Sequence, residues 1–356
     1  MTPSAADVIE LAFRHTKEQL FRPLRFAQWA RLAFVGVLAG EMSSFNGCNF
    51  NVPLNNYPRG TQHTALLSSP WPTSLSAHPL LFAGLVAAFL LLWLGFVVLF
   101  TYIASVMRFI LFDSVLEREC HIRRGWARRR QAGIRLFCWQ IFFMLASLGA
   151  LLIVIGIPLA GAWTLGWFTH GGEHVLGLVL GGVTLFLVLL LLLVTLAVIH
   201  VVTKDFVVPQ MALEDIGALE GWRRLWPQLA AEKAGYAGYL GMKIVLTIGA
   251  AIVFGIISVI AFLLLLIPIG GVGALGVLGG MAAGWHWNVA SIAAAAVFGC
   301  VALGTLIFVM ALISVPVTVF FPAYAIYFFA PRYPPLAARL WREAPAAAGA
   351  APLGPA

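Results

Sequence analysis

Charge is what this chain has least of. Of its 356 residues, 10% are Asp, Glu, Lys or Arg and 61% are hydrophobic, where a soluble domain carries about 25% charged residues. A water-soluble globular fold is therefore excluded. Acidic side chains are missing from the long apolar runs, and residues 244–331 carry no Asp, Glu, Lys or Arg at all. Proton- and ion-coupled carriers need ionisable groups near the membrane midplane, so that mechanism is not expected. A carrier of apolar or lipid cargo remains compatible with the gap. Cysteine is scarce as well. Cys48, Cys120, Cys138 and Cys300 form no framework, and Cys48 has no partner on its own side of the membrane, so no intrachain disulfide is expected. Catalytic and cofactor motifs are missing too. The expectation is a protein that is not an enzyme, with no catalytic residue, no cofactor and no metal.

What is present is a distribution of positive charge. There are 22 Lys and Arg against 14 Asp and Glu, a net charge of +8. Short connectors separate the apolar runs, and the basic residues fall in every second connector. Arg59 alone lies in a connector assigned to the outer side. Basic residues are retained on the cytoplasmic side of helical membrane proteins. The pattern therefore predicts an all-α, polytopic fold in the bacterial inner membrane with both termini cytoplasmic. Its six transmembrane helices fall at about 27–40, 80–111, 136–159, 175–202, 239–267 and 289–314. The surplus charge then faces the anionic inner leaflet. No basic tract is interleaved with a nucleic-acid-reading motif, so nucleic acid is not an expected partner. Anionic membrane lipids are, with an unidentified membrane protein as a further partner.

Residues 1–330 form one membrane domain on this reading, and 331–356 an Ala- and Pro-rich disordered tail. Residues 4–22 read as an amphipathic interfacial helix, with Ser4 and Asp7 as a capping box and Ile9, Phe13 and Leu20 on one face. The run after Arg31 is short enough for the core of a signal peptide, but about 30 residues precede it, too many for the basic leader of one. It is therefore kept as a weak first span, with Arg31 snorkelling to the inner interface. Residues 41–78 become an outer connector, and Arg108, His200 and Lys243 lie at inner helix ends. The Gly-rich segment 268–284 reads as an outer connector. If it crossed as an extra helix, the C-terminal tail would emerge outside.

The two strongly charged inner connectors resemble each other. Leu116-Glu117 precedes Gly125-Trp126 and Arg128, and Leu213-Glu214 precedes Gly221-Trp222 and Arg223-Arg224. Ile157-Pro158 and Ile267-Pro268 close the following spans in the same way. The pattern predicts two repeated hairpins joined by interfacial elbows, with a third copy divided between the chain ends. Trp126 and Trp222 suit headgroup depth, while Arg128, Arg223 and Arg224 suit lipid phosphates. Three readings of the elbows stand together: helix-end anchors, specific sites for anionic lipid, or a protein docking surface. Gly177-x-x-x-Gly181 and the Gly235, Gly238, Gly241 series permit close helix contact.

One metal-like motif remains. His170-Gly171-Gly172-Glu173-His174 has the spacing of one metalloprotease class, but two glycines and a short connector do not make a protease site. A looser site would need His286 to approach His170 and His174.

Three segments carry a family resemblance: LFRPLRFAQWARLAFVGVLAG near the N-terminus, KDFVVPQMALEDIGALEGWRRLWPQL, and VPVTVFFPAYAIYFF. With them the chain resembles an uncharacterised group of bacterial multi-pass proteins. That group is similar to the membrane domain attached to some glycerophosphodiester phosphodiesterases and, more distantly, to YciC-like membrane proteins. The resemblance implies an all-helical fold and no assigned activity. The catalytic barrel of the phosphodiesterases has no counterpart here. The expected role is a non-catalytic membrane module that organises lipids or a partner complex. The alternative is a transporter or flippase-like carrier of an apolar or amphipathic cargo.

Overall fold

A computed structural model describes residues 4–22, 25–41, 79–166, 175–282 and 289–341. Regular structure among them is entirely helical. Helix α1 is Asp7–Phe21, α2 is Phe26–Leu38, α3 is Pro79–Leu116, α4 is Ile122–Thr164 and α5 is Val175–Val202. One turn of π-helix, Thr203–Val207, leads from α5 into α6, Val208–Glu214. Helix α7 is Ala218–Ala231, α8 is Lys233–Ala282, α9 is Val289–Phe329 and α10 is Pro334–Leu340.

Five stretches are long and apolar enough to cross a membrane, those built on α3, α4, α5 continued through α6, α8 and α9. The expected first span is different. Helix α2 has 13 residues, about 20 Å at 1.5 Å per residue, against a hydrocarbon core of about 30 Å. It lies against α3 and α9 and ends at Gly40, whose φ of +78° only glycine adopts readily. Glu41, assigned from sequence to an outer connector, forms an ion pair with Lys204 instead. Helix α2 is thus short for a span by itself, and the residue that follows it meets Lys204; among the described residues five helices are long and apolar enough to cross, and α2 is a shorter apolar helix beside them.

Two further boundaries shift. The Gly-rich segment expected as a connector continues α8 as far as Ala282, through Pro268. Helix α8 then has 50 residues, about 75 Å, so it must tilt or project beyond the membrane. The tail expected to be disordered from Pro331 instead begins with a 3-10 turn and α10, where Leu336 is buried.

The buried core is not spread along the helices. It collects at one end: the last turns of α3 from Ser105, the first turns of α4, the π turn with α6 and α7, the start of α8, the last half of α9, and α1 and α2. Tyr239, Tyr324, Phe109, Phe206, Phe328 and Phe329 are its largest fully buried side chains. Beyond this hub the helices carry almost no core. In the most apolar stretch of α3, α4 and α8 no residue is buried, and in those of α5 and α9 only 6% are. These arms are coated with exposed Leu, Ile, Val and Phe, which only lipid can solvate.

Helix α1 belongs to the hub. Ser4 and Asp7 bond reciprocally at its start, with Ser4 Oγ 2.7 Å from Asp7 Oδ2, and this holds the Asp7 carboxyl below its usual range. The buried face is Val8, Ala12, His15, Thr16, Gln19 and Leu20, laid against α9, while Phe13 points outward. The face expected to contain Phe13 is therefore not the one that docks. Tyr324 Oη donates to the Ala5 carbonyl, so the N-terminal helix and the C-terminal end of α9 share one end of the molecule.

Candidate functional site

The two elbows are built alike. Each first helix ends in a residue with left-handed backbone, Arg118 (φ +58°) and Asp215 (φ +55°). Each second helix then returns with a glycine against a branched side chain of the first. A Cβ on Gly125 would sit 3.0 Å from Ile110 Cγ1, and one on Gly221 2.8 Å from Val207 Cγ1. An Arg–Glu pair closes each elbow: Arg128 lies 3.5 Å from Glu117, and Arg224 pairs with Glu214 and with Glu220. The elbows are also joined to each other, because Arg129 donates to the Ala212 carbonyl and Arg135 to the Asp215 carbonyl.

The two elbow tryptophans are partly buried and pack against the core. Trp126 packs edge-on to Tyr102, at 6.1 Å between ring centroids. Trp222 Nε1 donates to Thr203 Oγ1 at 3.1 Å. Of the three predicted arginines, Arg223 is the most available, with an 84% exposed side chain and a 4.0 Å approach to Glu220. It shares its outward face of α7 with Leu219 and Trp226, both about two-thirds exposed or more. Positions 219, 223 and 226 recur at helical spacing. This face sets one cation between two apolar side chains, which suits a membrane interface. Sequence reasoning missed Leu219 and Trp226; the spacing was the available signal.

Arg129 departs from the run around it. From sequence alone the surplus basic charge is expected to face the inner leaflet. Instead Arg129 is buried and grips Asp113 with two hydrogen bonds, Nε to Oδ2 at 2.6 Å and Nη2 to Oδ1 at 2.7 Å. Arg332 holds Glu232 in the same bidentate way and lies over the Phe328 ring, 4.0 Å from its centroid.

A second constellation was not foreseen. The π turn inserts an extra residue in its ladder and directs Lys204 and Asp205 into the interior, a distortion found often at functional sites. Lys204 pairs with Glu41, and Asp205 accepts from Lys243 and from Tyr239 Oη at 2.9 Å. Arg108 donates to the Ala39 carbonyl at the end of α2. These residues come from the end of α2, the inner part of α3, the π turn and the start of α8. Lys243 and Arg108, placed by the sequence singly at inner helix ends, belong to one polar knot. Charges removed from water cost several kcal/mol each unless paired, so the pairs are obligatory for the fold. Lys204 and Lys243 are each held by an ion pair. The signal in sequence was Lys204-Asp205 set between Val201-Val202-Thr203 and Phe206-Val207-Val208.

Above the knot lies a groove of about 490 Å³ between α5, α8 and α9. Val198, Val201, Ile244, Ile248 and Phe321 form its walls, and Glu41, Lys204 and Lys243 its base. No group of three or more metal-ligating side chains occurs among the described residues. His170, His174 and His286, the proposed loose metal set, lie outside the described residues, as does Cys48. The buried Cys120 thiol is pushed up by desolvation, which makes it a structural rather than a reactive cysteine.

Comparison with known proteins adds a family. A family model described as a family of unknown function, DUF7544, matches residues 3–339. The chain belongs to that family. The match gives no support to the likeness with the phosphodiesterase membrane domain or the YciC-like proteins. No curated protein matches. No solved structure matches.

Proposed function

We propose that this protein is a non-catalytic multi-pass membrane module that gathers and organises anionic lipids at one face of the membrane. The supporting observation is the position of the core. A hub carrying most of the basic residues forms at one end, and the helices above it are solvated by lipid rather than by each other. Lipid is then a structural partner along the arms, and the basic elbows meet its headgroups. On the positive-inside rule the hub faces the cytoplasm of a bacterium, with both termini on that side. The like construction of the two elbows is what a duplicated hairpin would leave behind. Each Lys or Arg near an anionic surface contributes about 1 kcal/mol. Replacing Arg128, Arg223 and Arg224 by Gln should therefore weaken the preference for phosphatidylglycerol over phosphatidylcholine, by up to about 3 kcal/mol. Arg223 should dominate, being least engaged within the protein. Unchanged preference in nanodiscs of mixed lipid would remove the elbows from the account.

The groove between α5, α8 and α9 favours a second reading, a carrier of amphipathic cargo. Its expected signature is movement of a labelled lipid between leaflets of proteoliposomes. A module that only organises lipid leaves that rate at the protein-free level.

A further inference from the structure

We infer that the groove between α5, α8 and α9 holds one anionic lipid, with its headgroup on Lys204 and Lys243 and an acyl chain along Val198, Ile244 and Ile248. The inference rests on the lipid-organising reading above but uses none of the elbow residues. Charge is the first ground. The knot contains three cations, Arg108, Lys204 and Lys243, and two carboxylates, Glu41 and Asp205. One positive charge is left over, that of Arg108, which does not line the groove itself but stands with Glu41, Lys204 and Asp205 around an adjoining pocket, so the knot under the groove is cationic as a whole and an anion is its complement. Donor capacity is the second. An ammonium carries three N–H groups. Among the described residues Lys204 hydrogen-bonds to Glu41 and Lys243 to Asp205, so both keep further donors at the base of the groove. Glu41 is part of the base too, but its charge is already matched by Lys204.

Shape is the third ground. The groove volume of about 490 Å³ lies in the ordinary range for small-ligand sites. Its side wall is not closed: Ile244 and Ile248 are more than half exposed, at 61% and 56%. That opening faces the acyl region, so a molecule enters sideways from the bilayer. A soluble anion would have to pass the same apolar wall without a chain to bury there. The complement is a molecule with one apolar chain in the groove and one negative head below it. A phosphodiester lipid such as phosphatidylglycerol has that form.

The test is native mass spectrometry of the full chain, released from detergent after exposure to phosphatidylglycerol, phosphatidylcholine or glycerol 3-phosphate. The expected result is one retained phosphatidylglycerol per chain and no retained phosphatidylcholine. Lys204→Gln should weaken that retention about tenfold or more, the effect of losing a charge-assisted hydrogen bond in a dry site. Val198→Trp fills the groove from its lipid-facing wall without touching an ion pair, and should abolish retention in a protein whose helical content is unchanged. The Arg128, Arg223 and Arg224 triple variant should keep the lipid. Equal retention by Val198→Trp and by the native chain overturns the inference, as does equal retention of phosphatidylcholine. Glycerol 3-phosphate binding as tightly as the lipid overturns it in favour of a soluble anion. Loss in the triple variant alone moves the lipid to the elbows, leaving the proposed function intact and the groove without a role. A retained groove lipid with no elbow effect on lipid preference does the reverse.

Discussion

Replacing Arg129 by Met should be among the most damaging single changes in this protein. Its side chain is 9% exposed and that of Asp113 13%, so the pair sits in low dielectric. The substitution leaves the Asp113 carboxylate buried without its cation and removes the donor to the Ala212 carbonyl, which ties α4 to α6. Removing one partner of a buried pair costs about 3–5 kcal/mol. Asp113→Leu should cost a similar amount, because it strands the guanidinium. The double variant Arg129→Met, Asp113→Leu has no orphaned charge. Its expected cost is the lost bond to Ala212, about 1 kcal/mol. The two single effects should therefore be strongly non-additive, with a coupling of several kcal/mol. Denaturant unfolding in a fixed detergent, followed by circular dichroism and by tryptophan fluorescence, gives all four corners of the cycle. Single variants that each cost under about 1 kcal/mol, or that simply add in the double variant, would refute a buried pair here and with it the hub.

Other consequences can be measured at separate places in the hub. His15 Nε2 donates to the Val115 carbonyl at 2.9 Å, and Nδ1 lies 3.2 Å from Tyr327 Oη, in a buried site that disfavours the charged ring. Its pKa is lowered, first by burial and then by Arg118, from an ordinary value of 6.5. The unfolded chain therefore binds more protons below that value, and stability should fall as pH drops through 6.5 toward the folded pKa. Hydrogen exchange in α1 should accelerate over that window, and His15→Gln should flatten the response. Gly133→Leu should cost about 1–3 kcal/mol by overpacking, since even a Cβ there would lie 2.5 Å from Val106 Cγ2 and 3.2 Å from its Cα. Gly238→Ala, where nothing lies within 4 Å, should be neutral or stabilising in the same thermal assay.

The parts legible in sequence were those set by local chemistry. The elbows could be read because Arg128 and Arg224 each follow a glycine, Gly125 and Gly221, by three residues, and Glu117 and Glu214 precede those glycines at spacings that differ by one. The Ser4–Asp7 start of α1 is likewise a local signal. What could not be read depends on the third dimension. Nothing in the run Arg128-Arg129-Arg130 distinguishes the middle arginine, which turns inward only because Asp113 and Ala212 meet it there. Glu41 follows an apolar run and so passed for the start of an outer connector; its partner, Lys204, is distant in sequence. The glycines of 268–282 resembled a loop. In lipid, with no water to compete for backbone groups, a Gly-rich apolar segment gains more from its own hydrogen bonds than from opening. The close contacts of Gly36 with Thr318 and Gly133 with Val106 were not distinguishable from the open positions of Gly238 and Gly241.

The most direct measurement of lipid organisation is electron paramagnetic resonance with spin-labelled phosphatidylglycerol and spin-labelled phosphatidylcholine around the reconstituted native chain. The lipid held against the protein appears as a motionally restricted component. If the basic hub gathers anionic lipid, that component should be larger for phosphatidylglycerol at equal lipid content. The excess should shrink as added salt screens the exposed elbow charges. Equal restricted fractions for the two lipids at low salt would contradict the account.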